Sequence, residues 1–370
     1  MFNGAYKGRK VLVTGDTGFK GSWLAVWLQQ MGAEVHGLAL PPEGSQALYR
    51  QGAIGRVIHH TDCDIRDSAA VERVLQEVQP RIIFHLAAQA LVRDSYLDPV
   101  GTMMTNVMGT AHLCDALRRY GGPCALVVIT SDKCYENHEW VYGYRENDAM
   151  GGSDPYSASK GAAELITASW RRSFFRPAEM PSHGKSVASA RAGNVIGPGD
   201  WAKDRIVPDT IRSLRENRPV LVRNPQAVRP WQHVLEPLSG YLWLGAGLLE
   251  GRAADWAEGW NFGPLPRNVR TVGELTEALI QAWGTGSWQS ANIPGQPHEA
   301  NLLRLSIDKA VSRLNWSPVW DFQATIRQTV HGYKKVAVAG DAVTVRQVIQ
   351  DQIAQYVRDA KSLDLEWTQK

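Results

Sequence analysis

Tyr156 and Lys160 stand four residues apart in the stretch Tyr156-Ser157-Ala158-Ser159-Lys160. On a helix, residues i and i+4 share a face. An ammonium close to a phenol favours the phenolate and lowers its pKa. A phenol so tuned can take the proton of an alcohol while a hydride leaves the same carbon. Upstream, Ser131, Asp132 and Lys133 follow the apolar run Ala125-Leu126-Val127-Val128-Ile129. Such a run reads as a buried strand of a parallel sheet. A hydroxyl, a carboxylate and an amine thus gather where α/β sheets open onto ligands. Ser131 can hydrogen-bond a substrate oxygen. Asp132 and Lys133 can serve as acid and base, or simply form a strand-end ion pair in solvent.

A third feature is the turn Gly15-Asp16-Thr17-Gly18-Phe19-Lys20-Gly21, directly after the strand Lys10–Thr14 and before a helical pattern. Glycines there let the backbone turn sharply and approach a pyrophosphate, which the free N–H groups of the helix start can bind. The spacing predicts a dinucleotide site. The acid expected at the end of the second strand is missing, with Ala39 near its place. No arginine follows until Arg50, so this rule leaves NAD and NADP open. Asp64 ends the third strand, either to accept the adenine amino group or to cap a helix.

These groups need a scaffold. Strands are expected at 10–14, 33–40, 57–63, 81–87, 125–131 and 186–192, with helices at about 22–31, 68–78, 105–120 and 156–174. The alternation predicts an α/β fold with a doubly wound parallel (Rossmann) sheet. Beyond residue 195 the rhythm breaks. Helical patterns return at 234–250, 272–283, 306–314 and 343–363. The expected organisation is a Rossmann domain over 1–195, with part of 230–262 returning to it. A smaller mixed α/β lobe spans mainly 196–330, and a C-terminal helical extension covers 335–370.

The chain has 370 residues, 44% hydrophobic and 21% charged, with a net charge of +3 and no basic block. Nothing in that balance points to nucleic acid. No apolar run is long enough to span a bilayer, and no secretory leader is evident. The four cysteines, Cys63, Cys114, Cys124 and Cys134, show no C-x-x-C spacing. They read as reduced thiols of a cytoplasmic protein, neither disulfides nor metal ligands. Cys134 reads as a strand-end hydrophobe rather than a nucleophile.

The set Gly15/Gly18/Gly21, Ser131, Tyr156 and Lys160 resembles the extended short-chain dehydrogenase/reductase family. Further stretches agree: Asp64-Ile65, His85-Leu86-Ala87-Ala88-Gln89, Thr105-Asn106-Val107, Arg191 with Asn194-Val195, and Asn261-Phe262-Gly263. The resemblance covers roughly residues 8–330. Within the family the chain is most similar to the nucleotide-sugar 4,6-dehydratases. The Asp132-Lys133 pair and the opening Val13-Thr14-Gly15-Asp16-Thr17-Gly18-Phe19-Lys20-Gly21-Ser22 resemble the branch that acts on CDP-glucose.

The resemblance implies a lyase that uses NAD as a returning hydride carrier. It implies catalytic roles for Ser131, Asp132, Lys133, Tyr156 and Lys160, with Asp132 as general acid and Lys133 as the base at C5. Cofactor contacts are implied for Gly15, Thr17, Gly18, Phe19, Lys20, Gly21, Asp64, Ile65, Leu86, Ala87, Ala88, Gln89, Asn106, Thr130, Tyr156 and Lys160. On the sugar side the candidates are Asp94, Tyr96, Asn194, Arg205, Arg229 and Arg304, with Arg223 beside them. His85 is expected to be structural. A homodimer or homotetramer is implied, pairing through the helices that carry Asn106 and Tyr156. Two other readings stand: a dehydratase of another nucleotide sugar or a 4-epimerase, and a non-catalytic NAD-binding protein.

Overall fold

Seven strands join in one sheet: β1 (Lys10–Thr14), β2 (Glu34–Ala39), β3 (His59–Asp62), β4 (Ile82–His85), β5 (Cys124–Ile129), β6 (Lys185–Arg191) and β7 (Gly259–Asn261). Their order is β7-β6-β5-β4-β1-β2-β3 and every neighbouring pair is parallel. This is the doubly wound arrangement the sequence predicts. The computed structural model describes residues 1–291 and 302–369. The order reverses between β1 and β4, which opens a crevice at their carboxyl ends.

The main helices are α1 (Phe19–Gln30), α2 (Ser68–Val78), α3 (Gly109–Arg119), α4 (Pro155–Ser173), α5 (Ile206–Arg215), α6 (Leu235–Leu249), α7 (Val272–Trp283), α8 (Asp308–Leu314), α9 (Phe322–Val338) and α10 (Ala342–Ser362). Local chemistry starts several of them. Asp154 caps α4, accepting from the Ser157 N–H at 2.9 Å, and Pro155 occupies the first helical position, where its missing N–H costs nothing. Asp67 and Asp341 cap α2 and α10 in the same way.

The expected helix 105–120 is looser at its start. Residues Met104–Met108 form a wide i to i+5 turn before α3 begins at Gly109. Three of these named elements lie outside the sequence reading. β7 is only three residues long, too short for alternation to show. Pro208 sits in the first turn of α5, where it reads as a breaker but is tolerated. The buried stripe of α9 mixes Thr325, Thr329 and Gly332 with Ile326, Val330 and Tyr333, which blurs the apolar period. No helix among the described residues is long and apolar enough to cross a membrane.

The C-terminal segment docks on the start of the chain. Tyr356 of α10 meets Trp27 of α1 edge to face at 6.0 Å, and Trp367 stacks on Phe2 at 5.0 Å. Glu236, fully buried on α6, organises this junction. It accepts from the Val319 N–H at 2.9 Å, the Trp320 N–H at 2.7 Å and the Tyr356 hydroxyl at 2.7 Å. Burial pushes its carboxyl up to about 7. Glu236→Ala would strand these buried donors, so a loss of about 2–4 kcal/mol in unfolding free energy is expected. Urea denaturation measures it, and an unchanged midpoint would show that the junction does not depend on Glu236.

Candidate active site

The glycine turn between β1 and α1 is closed tightly. Gly15 has φ +76°, and a Cβ there would fall 2.7 Å from the Ala87 nitrogen. A Cβ on Gly21 would fall 2.1 Å from the Gly15 carbonyl oxygen. Only glycine fits either place. Gly18 precedes the first turn of α1 and no side chain caps it, so the helix start keeps its N–H groups for an anion. Thr17 donates to the Leu40 carbonyl at 3.0 Å and ties the turn to the end of β2. This cradle fits a dinucleotide pyrophosphate: Gly15, Thr17, Gly18, Phe19 and Gly21 would hold it through backbone and side chain.

Across the crevice, residues Leu86–Gln89 leave β4. Asn106 shapes this segment. Its Oδ1 accepts from the Gln89 N–H at 2.8 Å, and its Nδ2 donates to the Gln89 carbonyl at 3.0 Å and to Ser159 Oγ at 2.8 Å. Asn106 thus links the cofactor segment to α4. Thr130 likewise donates to Glu164. Ile65 is buried against Gly109, and Asp64 is gripped by the Arg66 guanidinium at 2.6–3.0 Å, which holds its carboxyl below the usual range. His85 bridges Thr14 at 2.7 Å and Thr110 at 3.1 Å. Burial lowers it to about 3, so it is a neutral structural group.

The expected catalytic residues converge. Ser131 Oγ donates to Asp132 Oδ1 at 2.9 Å and accepts from the Lys133 N–H at 3.2 Å. Asp132 is buried against Gly193, where a Cβ would fall 1.9 Å from Oδ2. That Oδ2 is buried and has no hydrogen-bond partner among the described residues. Tyr156 and Lys160 are buried together on α4. Burial pushes the Tyr156 phenol up to about 12, against the pull of a hydrogen bond with Ser131 and the charge of Arg205. Burial lowers Lys160 to about 8. The groups that pull the phenol down are therefore Ser131 and Arg205, which the i, i+4 spacing alone did not show.

Lys20 belongs on this side of the turn. Its ammonium lies 5.8 Å from the Tyr241 ring centre. Desolvation first, then the charges of Lys160 and Arg205, bring it down to about 7, while Asp132 opposes that shift. A residue expected only in the cofactor loop thus shares the electrostatics of the catalytic groups.

Behind them lies a buried network that sequence reasoning missed. Glu164 on α4 pairs with Arg191 at 2.8 Å and accepts from Ser189 at 2.7 Å. Arg191 also reaches the Tyr135 hydroxyl at 2.6 Å, and Tyr135 donates to Asn261 at 2.7 Å. The signal was present in Arg191 and Asn261, but their partner Glu164 sits in an unremarkable helical repeat. Cys134 is buried here and its thiol is held well above the usual range by burial, consistent with a hydrophobe. All four cysteines are free and buried.

The sugar-side candidates fall into two groups. Asp94 pairs with Lys203 at 3.1 Å, and Arg93 and Arg223 both meet Asp204 at 3.2 Å. Arg205 pairs with Asp200 at 2.9 Å and reaches Tyr156 electrostatically. These contacts bring the 200–205 loop over the start of α4. Tyr96 is largely exposed. Asn194 adopts φ +51° just past β6. The segments carrying Arg229 and Arg304 run side by side, Val228 pairing with Leu302. Arg304 Nε is buried without a partner among the described residues.

Known proteins share this architecture. The chain is 48% identical to the CDP-glucose 4,6-dehydratase of Salmonella typhimurium over 329 residues, 89% of this chain and 91% of that one. It is 29% identical to the dTDP-glucose 4,6-dehydratase of Streptomyces antibioticus, over 88% and 92% of the two chains. Among solved structures, the UDP-glucose 4-epimerase of Thermus thermophilus in complex with NAD superimposes with a TM-score of 0.72 at 26% identity, covering 88% of this chain and 99% of that one. Residues 11–251 match the family description itself. The glycine cradle, the Ser131–Tyr156–Lys160 cluster and these likenesses lead to one conclusion: the chain belongs to the NAD dependent epimerase/dehydratase family, and its cofactor is NAD.

Proposed function

We propose that this protein is a CDP-glucose 4,6-dehydratase that makes CDP-4-keto-6-deoxyglucose, an intermediate of the kind used in deoxysugar and lipopolysaccharide synthesis. The observation that carries the reading is the Asp132-Lys133 pair beside Ser131, set in a chain 48% identical to an enzyme of that name. An epimerase needs no acid and base there.

The cradle at Gly15, Gly18 and Gly21 would hold NAD, which would supply the hydride acceptor for C4 and the hydride donor for C6. Tyr156 takes the proton of the 4-hydroxyl, with Ser131 hydrogen-bonding O4. The 4-ketone acidifies the C5 hydrogen. Lys133 removes that proton, and Asp132 protonates the departing 6-hydroxyl, so that water leaves. C5 regains a proton at the end, and the sum is the loss of one water. Burial of Asp132 excludes solvent, so proton transfer stays within the site.

Arg205, Arg229 and Arg304 are the cations proposed for the diphosphate. Arg229→Ala is expected to raise KM for the sugar nucleotide about 10-fold or more, while NAD affinity holds, because guanidinium grips phosphate bidentately. Titration with each ligand separates the two constants, and an unchanged KM would remove Arg229 from the site.

The same reading includes self-association. Leu97, Val100, Met104, Met108 and Leu165 are exposed on neighbouring helical segments, as a pairing face requires. A cytoplasmic location is part of the proposal and accords with the free cysteines. The experiment is incubation with CDP-, dTDP- and UDP-glucose, reading 4-keto-6-deoxy product by its absorbance in alkali. Turnover of CDP-glucose above the others supports the proposal. Preference for another nucleotide, or 4-epimer without keto product, would overturn it.

A further inference from the structure

β2 lacks the acid that a Rossmann fold commonly sets at the end of its second strand for the adenosine ribose. Ala39 stands there, and the sheet register places Asp62 of β3 directly beside it. Gly37 and His60 are partners two residues earlier, so all four positions lie on one face of the sheet.

A line of hydrogen bonds runs along that face. His60 Nδ1 lies 2.7 Å from Asp16 Oδ2, and His60 Nε2 lies 3.1 Å from Asp62 Oδ1. Asp16 is the second residue of the glycine turn and is fully buried. Its carboxylate occupies the space that Gly37 leaves, since a Cβ on Gly37 would fall 2.1 Å from Asp16 Oδ2. The Tyr49 ring packs on His60 at 5.4 Å. The line begins beneath the turn and ends at a carboxylate whose side chain is 68% exposed.

With a carboxylate within hydrogen-bond distance of each nitrogen, the doubly protonated imidazole can donate to both. The hydrogen bond to Asp16 holds His60 above its ordinary range. Burial raises the Asp16 carboxyl, and the exposed end of the line is the Asp62 carboxylate. An oriented carboxylate accepts hydrogen bonds from ribose hydroxyls and repels a 2′-phosphate. Arg50, the first arginine after β2, is engaged on the Pro42 carbonyl at 2.9 and 3.2 Å.

We infer that Asp62, oriented by His60 and Asp16, supplies from the third strand the acidic group that β2 lacks, binds the adenosine ribose and sets the preference for NAD over NADP. The inference rests on the dinucleotide reading of the glycine turn.

The test is calorimetric titration of the purified full-length protein with NAD and with NADP, without sugar nucleotide. Three proteins are compared: wild type, Asp62→Ala and Asp62→Arg. Asp62 is exposed, so both variants should fold. Asp62→Ala is expected to weaken NAD about 10- to 100-fold, the worth of charge-assisted hydrogen bonds, and to narrow the NAD/NADP ratio. Asp62→Arg should tip that ratio toward NADP. Wild type that binds neither dinucleotide would overturn the cofactor reading and this inference with it. Wild type that binds NAD, with Asp62→Ala keeping the same affinity and ratio, overturns this inference alone.

Discussion

Replacing Tyr156 with phenylalanine is expected to slow turnover of CDP-glucose by about 10³-fold or more, near the upper worth of a positioned acid or base. In the proposed mechanism the phenol takes the proton of the hydroxyl to be oxidised, and phenylalanine preserves its packing in the buried site. Affinity for NAD should change little, because the cradle at Gly15, Gly18 and Gly21 is untouched. The loss should fall on the first step, so no reduced cofactor should accumulate when sugar nucleotide is added. With the phenol at about 12 and Lys160 at about 8 in the ligand-free protein, the phenolate is the minor form near neutrality. Activity should therefore rise with pH on its acid limb. The groups that favour the phenolate are Ser131 and Arg205. Near-normal turnover of Tyr156→Phe would move the proton acceptor elsewhere, with Lys20 the first alternative to examine.

Lys133→Met is expected to separate oxidation from elimination. Oxidation at C4 relies on Tyr156 and Ser131 and should survive in part. Removal of the C5 proton should slow by about 10²–10⁴-fold. Exchange of the C5 hydrogen with deuterated water should fall in parallel with product. Lys133→Arg distinguishes a base from a mere counter-ion of Asp132. Arginine keeps the charge but does not give up its proton. Substantial rescue by arginine would end the assignment of Lys133 as base and direct attention to Lys20, which interacts electrostatically with Asp132.

Most of the scaffold was legible along the chain. Fully buried strands announce themselves as unbroken apolar runs, and β5, with every residue buried, is the clearest case. Caps such as Asp154 and Asp67 act on backbone within three residues, so they too can be read in one dimension. The glycine turn and the i, i+4 pair Tyr156/Lys160 belong to the same class, because each is a local spacing with a local geometric result.

Contacts between distant segments had to wait for the folded molecule. Glu164 is an ordinary helical acid until β6 brings Arg191 to 2.8 Å. Glu236 becomes a junction only when Val319, Trp320 and Tyr356 fold onto it. Asp62 gains significance from its register beside Ala39, distant in sequence but adjacent across the sheet. Asn106, expected at the cofactor, also holds Gln89 and Ser159. Hydrogen-bond partnership and desolvation act through space, and no periodicity along a chain encodes which two segments will meet.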